Sequence, residues 1–192
     1  MKSILLMFSG GLDSLAALYL LLTDPKYAEY SIHVHHVEII NKEDRHIAER
    51  CAVQKIINYL HVNKYREFQY SESSVVIPSV NGNIPWDTDI TSFISGYMAS
   101  FVKFDGVAFG VNKDEALHVS EKQSKRAEII FESFSPHAIK IFPIVHMTKK
   151  EIFEFLPKDL SAISWSCRTP VYKDGQIIRC NKCKTCRALS RL

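Results

Sequence analysis

Apolar positions fall into short blocks that alternate between two rhythms along the chain. Residues 2–8 read Lys-Ser-Ile-Leu-Leu-Met-Phe, an apolar run of strand length that predicts a strand buried on both faces. Residues 14–22 are apolar nearly all round and predict a buried helix. A second strand is predicted over 31–40, carried by Ile32, Val34, Val37, Ile39 and Ile40. Asn41 is placed to cap a long helix from Lys42 to about Leu60. A weaker third strand is read over 65–70. Residues 71–88, rich in Ser, Asn, Gly and Pro, read as the one long irregular segment. Asp89 is placed to cap a helix through Phe93, Tyr97, Phe101 and Val102. A strand over 106–111, a helix over 120–134 and a strand over 139–145 follow. Thr148-Lys149-Lys150-Glu151 is a capping box opening a short helix that ends at Pro157.

Strand and helix thus alternate about five times. That order predicts an α/β, Rossmann-like parallel sheet of about five strands with helices on both faces. Ligands in such sheets bind at the carboxyl ends of the strands, so the chemistry is expected in the strand-end loops.

Length and charge narrow the picture. A chain of 192 residues suits one compact domain with a real core. The net charge of +3, with no long like-charge run, suits an anionic nucleotide and does not argue for a large nucleic-acid surface. The apolar stretch before Ser9 is too short for a signal peptide. The next one stops at Thr23-Asp24-Pro25, far short of a membrane span. The expectation is a cytoplasmic protein with no membrane association and no stable nucleic-acid partner.

The first strand-end loop is Ser9-Gly10-Gly11-Leu12-Asp13-Ser14. Two glycines let backbone N–H groups turn into one concavity at a helix start, which is how phosphate sites are built. Ser9 and Ser14 add hydroxyls. Asp13 looks out of place beside phosphate unless it holds a cation or fixes the loop. Neither the kinase-type Gly-x-x-x-x-Gly-Lys-Ser/Thr motif nor the dinucleotide fingerprint Gly-x-Gly-x-x-Gly is present.

Four of the five cysteines, Cys167, Cys180, Cys183 and Cys186, lie near the C-terminus. Asp174-Gly175 between them is a hairpin turn, and folding about it brings Cys167 opposite the Cys180-x-x-Cys183-x-x-Cys186 run. Four thiolates with no open position suit structural zinc, with an iron–sulfur cluster as the alternative. Lys182, Lys184 and Arg187 offset the charge of such a site. Cys51, among apolar neighbours in a helix, reads as a buried, inert thiol.

The Ser-Gly-Gly-x-Asp-Ser loop resembles that of the N-type ATP pyrophosphatases, which cut ATP between the α- and β-phosphates and transfer AMP to a substrate oxygen. Three further groups join it: Gly110-Val111-Asn112 after a strand; Pro143-Ile144 with Lys149 and Glu151-Ile152; and Ser166-Cys167 with Cys180, Cys183 and Cys186. With these the chain resembles the 7-cyano-7-deazaguanine synthase family of queuosine biosynthesis over nearly its full length. The resemblance implies an adenine-nucleotide α-hydrolase-like domain over residues 1–160, with a four-cysteine zinc segment over 161–192 packed on it. It implies an ATP-dependent carbon–nitrogen ligase using ATP, Mg2+ and Zn2+. The enzyme would adenylate 7-carboxy-7-deazaguanine and convert it with ammonia, through the amide, to the nitrile. Ser9, Asp13, Ser14 and Lys149 would be catalytic. Residues 9–14 with Gly110 and Asn112 would hold nucleotide, and the four cysteines would hold metal. The family's dimers imply a homodimer.

The base-recognition segments depart from the family pattern. Pro85-Trp86-Asp87-Thr88-Asp89 stands where the family has Pro-Gly-Arg-Asn, and residues 117–126 replace its Tyr-Pro-Asp-Cys-Arg segment. Asp87, Asp89, Asp114 and Glu115 are the carboxylates placed to meet a guanine-like edge, and Trp86 is placed to stack on a ring or pack in the core. His33, His35 and His36 on the second strand read as structural or adenine-pocket residues rather than a metal site. Lys113, Lys122, Lys125 and Arg126 read as a charged helix face. The rival readings are a related enzyme acting on another acid, a tRNA thiolation enzyme, and a catalytically dead nucleotide-binding module.

Overall fold

In the computed structural model, which describes residues 2–190, the first strand lies at the centre of a parallel sheet. β1 (Lys2–Met7) pairs on one side with β2 (Tyr30–Ile40), and β2 pairs with the edge strand β3 (Gln69–Val76). On the other side it pairs with β4 (Gly106–Phe109), followed by the edge strand β5 (Ile139–Ile141). The order is therefore 3-2-1-4-5. The chain steps outward from β1 and then crosses back to β4, leaving a crevice at the carboxyl ends of β1 and β4 where ligands of this architecture sit.

Side chains alternate across the central strands. Ile4, Leu6, Ile32 and Val34 face α1 (Leu12–Thr23), α2 (His46–Val62) and α6 (Lys149–Phe155). Leu5, Met7, Val37, Ile39 and Val107 face α3 (Asp87–Val102) and α5 (Glu121–Glu132). α1 needs no amphipathic stripe because it is enclosed: Leu15, Ala16, Ala17, Leu18 and Leu21 are fully buried. At about 1.5–3 kcal/mol per buried leucine, this helix anchors the loop that precedes it. Short helices α4 (Lys113–Ala116) and α7 (Lys158–Ala162) fill strand-end connections. β6 (Val171–Lys173) and β7 (Gln176–Ile178) form the hairpin about Asp174-Gly175, both in the left-handed region, and α8 (Lys184–Leu189) ends the described chain. No helix among the described residues is long and apolar enough to cross a membrane.

Several boundaries differ from the sequence reading. Asn41 caps a turn, accepting the Glu43 N–H at 2.9 Å, and Asp44 at φ 53° breaks the path, so α2 starts at His46. β3 begins at Gln69 and takes in much of the segment read as irregular. α3 starts at Asp87, three residues early, with Trp86 rather than Asp89 as its N-cap. β4 and β5 stop at Phe109 and Ile141, short of the runs read from the apolar pattern. Cys51 is half-buried, not buried.

Candidate nucleotide and metal site

The Ser9–Ser14 loop leaves β1 and enters α1 through Gly10, whose φ of 74° suits glycine. Its polar groups close on hydroxyls. Ser14 Oγ donates to Gly11 O (3.1 Å) and accepts from Ser9 N–H (3.2 Å) and Ser9 Oγ (3.1 Å). Ser9 Oγ accepts the Gly11 N–H at 3.3 Å, and Ser166 Oγ, far along the chain, accepts the Leu12 N–H at 3.0 Å. Three loop amides are thus satisfied by neutral hydroxyls. An anionic oxygen makes a stronger acceptor and can replace them.

Gly110 ends β4 against this loop. A Cβ there would lie 2.6 Å from Ser14 N and Cα, so only glycine permits the approach. Two residues on, the fully buried Asn112 caps α4, accepting the Glu115 N–H at 2.9 Å, and donates from Nδ2 to Asp13 Oδ1 at 3.0 Å. Lys149, the first residue of α6, forms an ion pair with Asp13 through Nζ and donates its N–H to Asp114 Oδ2 at 2.9 Å. Ser9, Asp13, Ser14, Asn112 and Lys149, from three separate segments, therefore meet in one place. Asp13 does not face a phosphate alone; Asn112 and Lys149 hold it.

A buried charged cluster in front of α2 was not read from the sequence. Arg45, buried before α2, pairs with Glu43 (3.1 Å), Glu49 (3.3 Å) and Asp87. Arg168 adds contacts to Asp87 (3.1 Å) and Glu43 (3.8 Å). Burial raises the Glu49 carboxyl to about 7 against the pull of Arg45. The one signal in the sequence is the i,i+4 spacing of Arg45 and Glu49. Burial, then Asp13, raises Glu115, which stands 4.0 Å from Lys149.

This arrangement corrects the guanine-edge candidates. Asp87 is taken by Arg45 and Arg168, Asp89 by Arg126 at 2.6 Å, and Asp114 by the α6 N-terminus. Glu115 is the one of the four that faces the loop without a contact under 4.0 Å to a cation. The histidines serve the sheet: His33 and His35 bond Ser71 (2.6 and 2.7 Å), His35 also bonds Ser73 (2.9 Å), and His36 Nδ1 bonds Phe8 O beneath the loop (2.9 Å).

In the tail, the ligand atoms of Cys167, Cys180, Cys183 and Cys186 all lie within 4.8 Å of one another, so the set can hold a metal ion. Cys180 and Cys186 sulfurs are 3.9 Å apart, close to the edge of about 3.8 Å set by four 2.3 Å zinc–sulfur bonds in a tetrahedron. Main-chain N–H groups of Lys182 and Cys183 point at Cys180 Sγ (3.4 and 3.3 Å), and that of Cys186 at Cys183 Sγ (3.4 Å). The Thr169 hydroxyl, then these amides, lower Cys180 to about 5, while burial pushes Cys186 up to about 12. A bound cation overrides that difference by deprotonating its thiol ligands.

No protein-family model matches the chain, and no curated protein matches it. Among solved structures it is similar to the U34-tRNA thiolase NcsA from Methanococcus maripaludis with its 4Fe-4S cluster. The match has a TM-score of 0.61 at 14% identity and covers 98% of this chain and 62% of that one. The chain therefore shares the fold of that thiolase while spanning less than two thirds of its length.

Proposed function

We propose that the chain is an N-type ATP pyrophosphatase that activates a carboxylate by adenylation and passes it to ammonia. The observation that carries this reading is the convergence of Asn112 and Lys149 on Asp13 at the Ser9–Ser14 loop. Ser9, Gly11 and Leu12 present amides to the pyrophosphate as it leaves, each exchanging a hydroxyl for an anionic oxygen. Lys149, already within the loop's reach through Asp13, shifts toward the same phosphates. Asp13 is a hard oxygen donor suited to Mg2+, which would supply charge neutralisation on the phosphates. The acid's oxygen attacks the α-phosphorus, pyrophosphate departs, and ammonia displaces AMP from the acyl-adenylate. Positioning two anions together is the main task, and the donors of this loop are fixed beforehand by a buried helix.

The first substrate to test is 7-carboxy-7-deazaguanine, with the nitrile as end product once a second ATP adenylates the amide oxygen and AMP leaves with it. Glu115 is the carboxylate left to meet the ring's N1–H and amino group. The four thiols hold zinc as a structural ion, and no chemical step passes through it. Mass spectrometry of reactions holding that acid, ATP and ammonium should show AMP with amide or nitrile. Silence with this acid but AMP release with another keeps the ATP chemistry and removes the substrate.

A second reading, tRNA thiolation, is favoured by the likeness to the thiolase. Such enzymes use reactive cysteines or an iron–sulfur cluster, and the four thiols of the tail are where a cluster would sit. A cubane sets its four thiolates further apart than one ion does, and the 3.9 Å spacing of Cys180 and Cys186 favours the single ion. Anaerobically purified protein that is brown and iron-loaded would reverse that choice.

A further inference from the structure

The phosphate loop and the cysteine cluster share one short strap, residues 165–168. At one end Trp165 N–H donates to Gly10 O at 2.8 Å, and Ser166 Oγ accepts the Leu12 N–H at 3.0 Å. At the other, Cys167 is buried as a member of the thiol cluster, and the Arg168 N–H points at Cys183 Sγ. The Arg179 guanidinium ties the preceding residue down by donating to Ser164 O at 2.9 Å, and lies over the Trp165 ring. A hydroxyl seated on a loop amide is therefore one residue from a metal ligand.

We propose that this strap couples the two sites: metal binding presents Ser166 to the nucleotide's phosphates, and bound nucleotide in turn slows loss of the metal. The inference rests on the reading of the Ser9–Ser14 loop as a nucleotide site. When a phosphate oxygen takes the Leu12 N–H, the Ser166 hydroxyl is freed to donate its own proton to that oxygen. Its position costs no ordering entropy if Cys167 is already fixed by the metal. Without the metal, the strap must be ordered at the moment of binding, and affinity falls. Reciprocity then requires that the nucleotide favour the metal-bound state by the same factor. Ser166 is a positioning and binding residue in this scheme, delivered by the tail to a loop 154 residues away in sequence.

The test uses the full-length zinc-loaded chain, α,β-methylene ATP as an uncleavable probe, and excess Mg2+. Zinc release to a chromogenic chelator is followed with and without saturating probe. Release is expected to slow by about fivefold or more. Free phosphate oxygens binding zinc directly would speed release, the opposite sign. Ser166→Ala is expected to weaken probe binding by about tenfold and to abolish the slowing. Ser166→Thr, which keeps the hydroxyl, is expected to retain both, with zinc content and circular dichroism confirming that each variant is folded. Probe binding with unchanged zinc release overturns the coupling and leaves the loop reading intact. Slowing that survives in Ser166→Ala removes Ser166 as its carrier. A zinc-loaded wild-type chain that binds no probe overturns the loop reading and the coupling with it.

Discussion

The two halves of the site are held by different forces. The Ser9–Ser14 loop stands on Phe8, Leu12 and Leu15, each at most 2% exposed, and its shape is set by apolar burial on both sides. The tail from residue 165 onward has little such base: among the described residues its buried side chains are Cys167 and Cys186, Leu189 packs partly against the core, and Val171, Tyr172 and Ile178 of the hairpin are exposed. A segment that small cannot fold on its own apolar surface, and a metal or other staple is what such segments use. The loop is a product of the core; the tail is a product of its thiols.

The largest expected effect follows from that contrast. Apparent binding energies of structural zinc are on the order of 10 kcal/mol, and an ion held by these four thiols would act on this one segment. Cys183→Ser is expected to abolish metal retention and expose Lys182, Lys184 and Arg187 to trypsin. The α/β core should keep its far-ultraviolet circular dichroism. Cooperative unfolding of the whole chain on metal removal would show that the core leans on the tail as well.

How much of this was legible follows the same division. The apolar rhythm marks β1, α1 and β2 because their burial is nearly complete, and Asp174-Gly175 marks the hairpin because two left-handed residues in a row suit few side chains. The capping box read at Thr148 is real, while the one at Ser120 came only with the structure. The third strand was read at 65–70, short of most of β3, because Ser71 and Ser73 of β3 meet His33 and His35 through hydrogen bonds and leave little apolar alternation to read. In the site, residue types were visible but partners were not. Nothing local says that Asp13 meets Lys149 or that Leu12 meets Ser166, since such pairs are made by topology. Asp87 and Asp89 look like free carboxylates until folding delivers Arg45, Arg168 and Arg126 to them.

A pair of glycines tests whether geometry is strict in the loop and lenient in the tail. Gly110→Ala places a Cβ 2.6 Å from main-chain atoms of Ser14, which cannot turn aside. The expected cost is about 1–3 kcal/mol in urea unfolding, together with loss of nucleotide binding. Gly175→Ala meets nothing within 4 Å and carries only the strain of its positive φ, about 1 kcal/mol and confined to the hairpin. Equal costs at the two positions would erase the distinction.

Acid should weaken the platform under the loop. Burial lowers His35 to about 4 and also lowers His36, whose ring supports Phe8 O. An unfolded histidine titrates near 6.5, so below that pH the unfolded chain takes up protons that the folded chain refuses. Stability contributed by these neutral rings is complete above about 6.5 and is lost as pH falls toward 4. Urea midpoints measured from pH 7.5 down to 4.5 should fall, and His35→Gln should flatten the slope. A midpoint that stays constant or rises on acidification would contradict the burial argument.

The smallest effect separates metal from ion pairs as the tail's anchor. Arg168 reaches from the tail to Asp87 and Glu43, and its side chain is 46% exposed. Exposed pairs of this kind contribute about 0–1 kcal/mol, and Asp87 keeps Arg45 when Arg168 is removed. Arg168→Ala is therefore expected to leave metal content and tryptic protection of the tail within error, with a urea midpoint shifted by less than about 1 kcal/mol. If instead the tail opens to trypsin while its metal stays bound, the guanidinium holds the segment to the core, and thiolates alone do not explain its place.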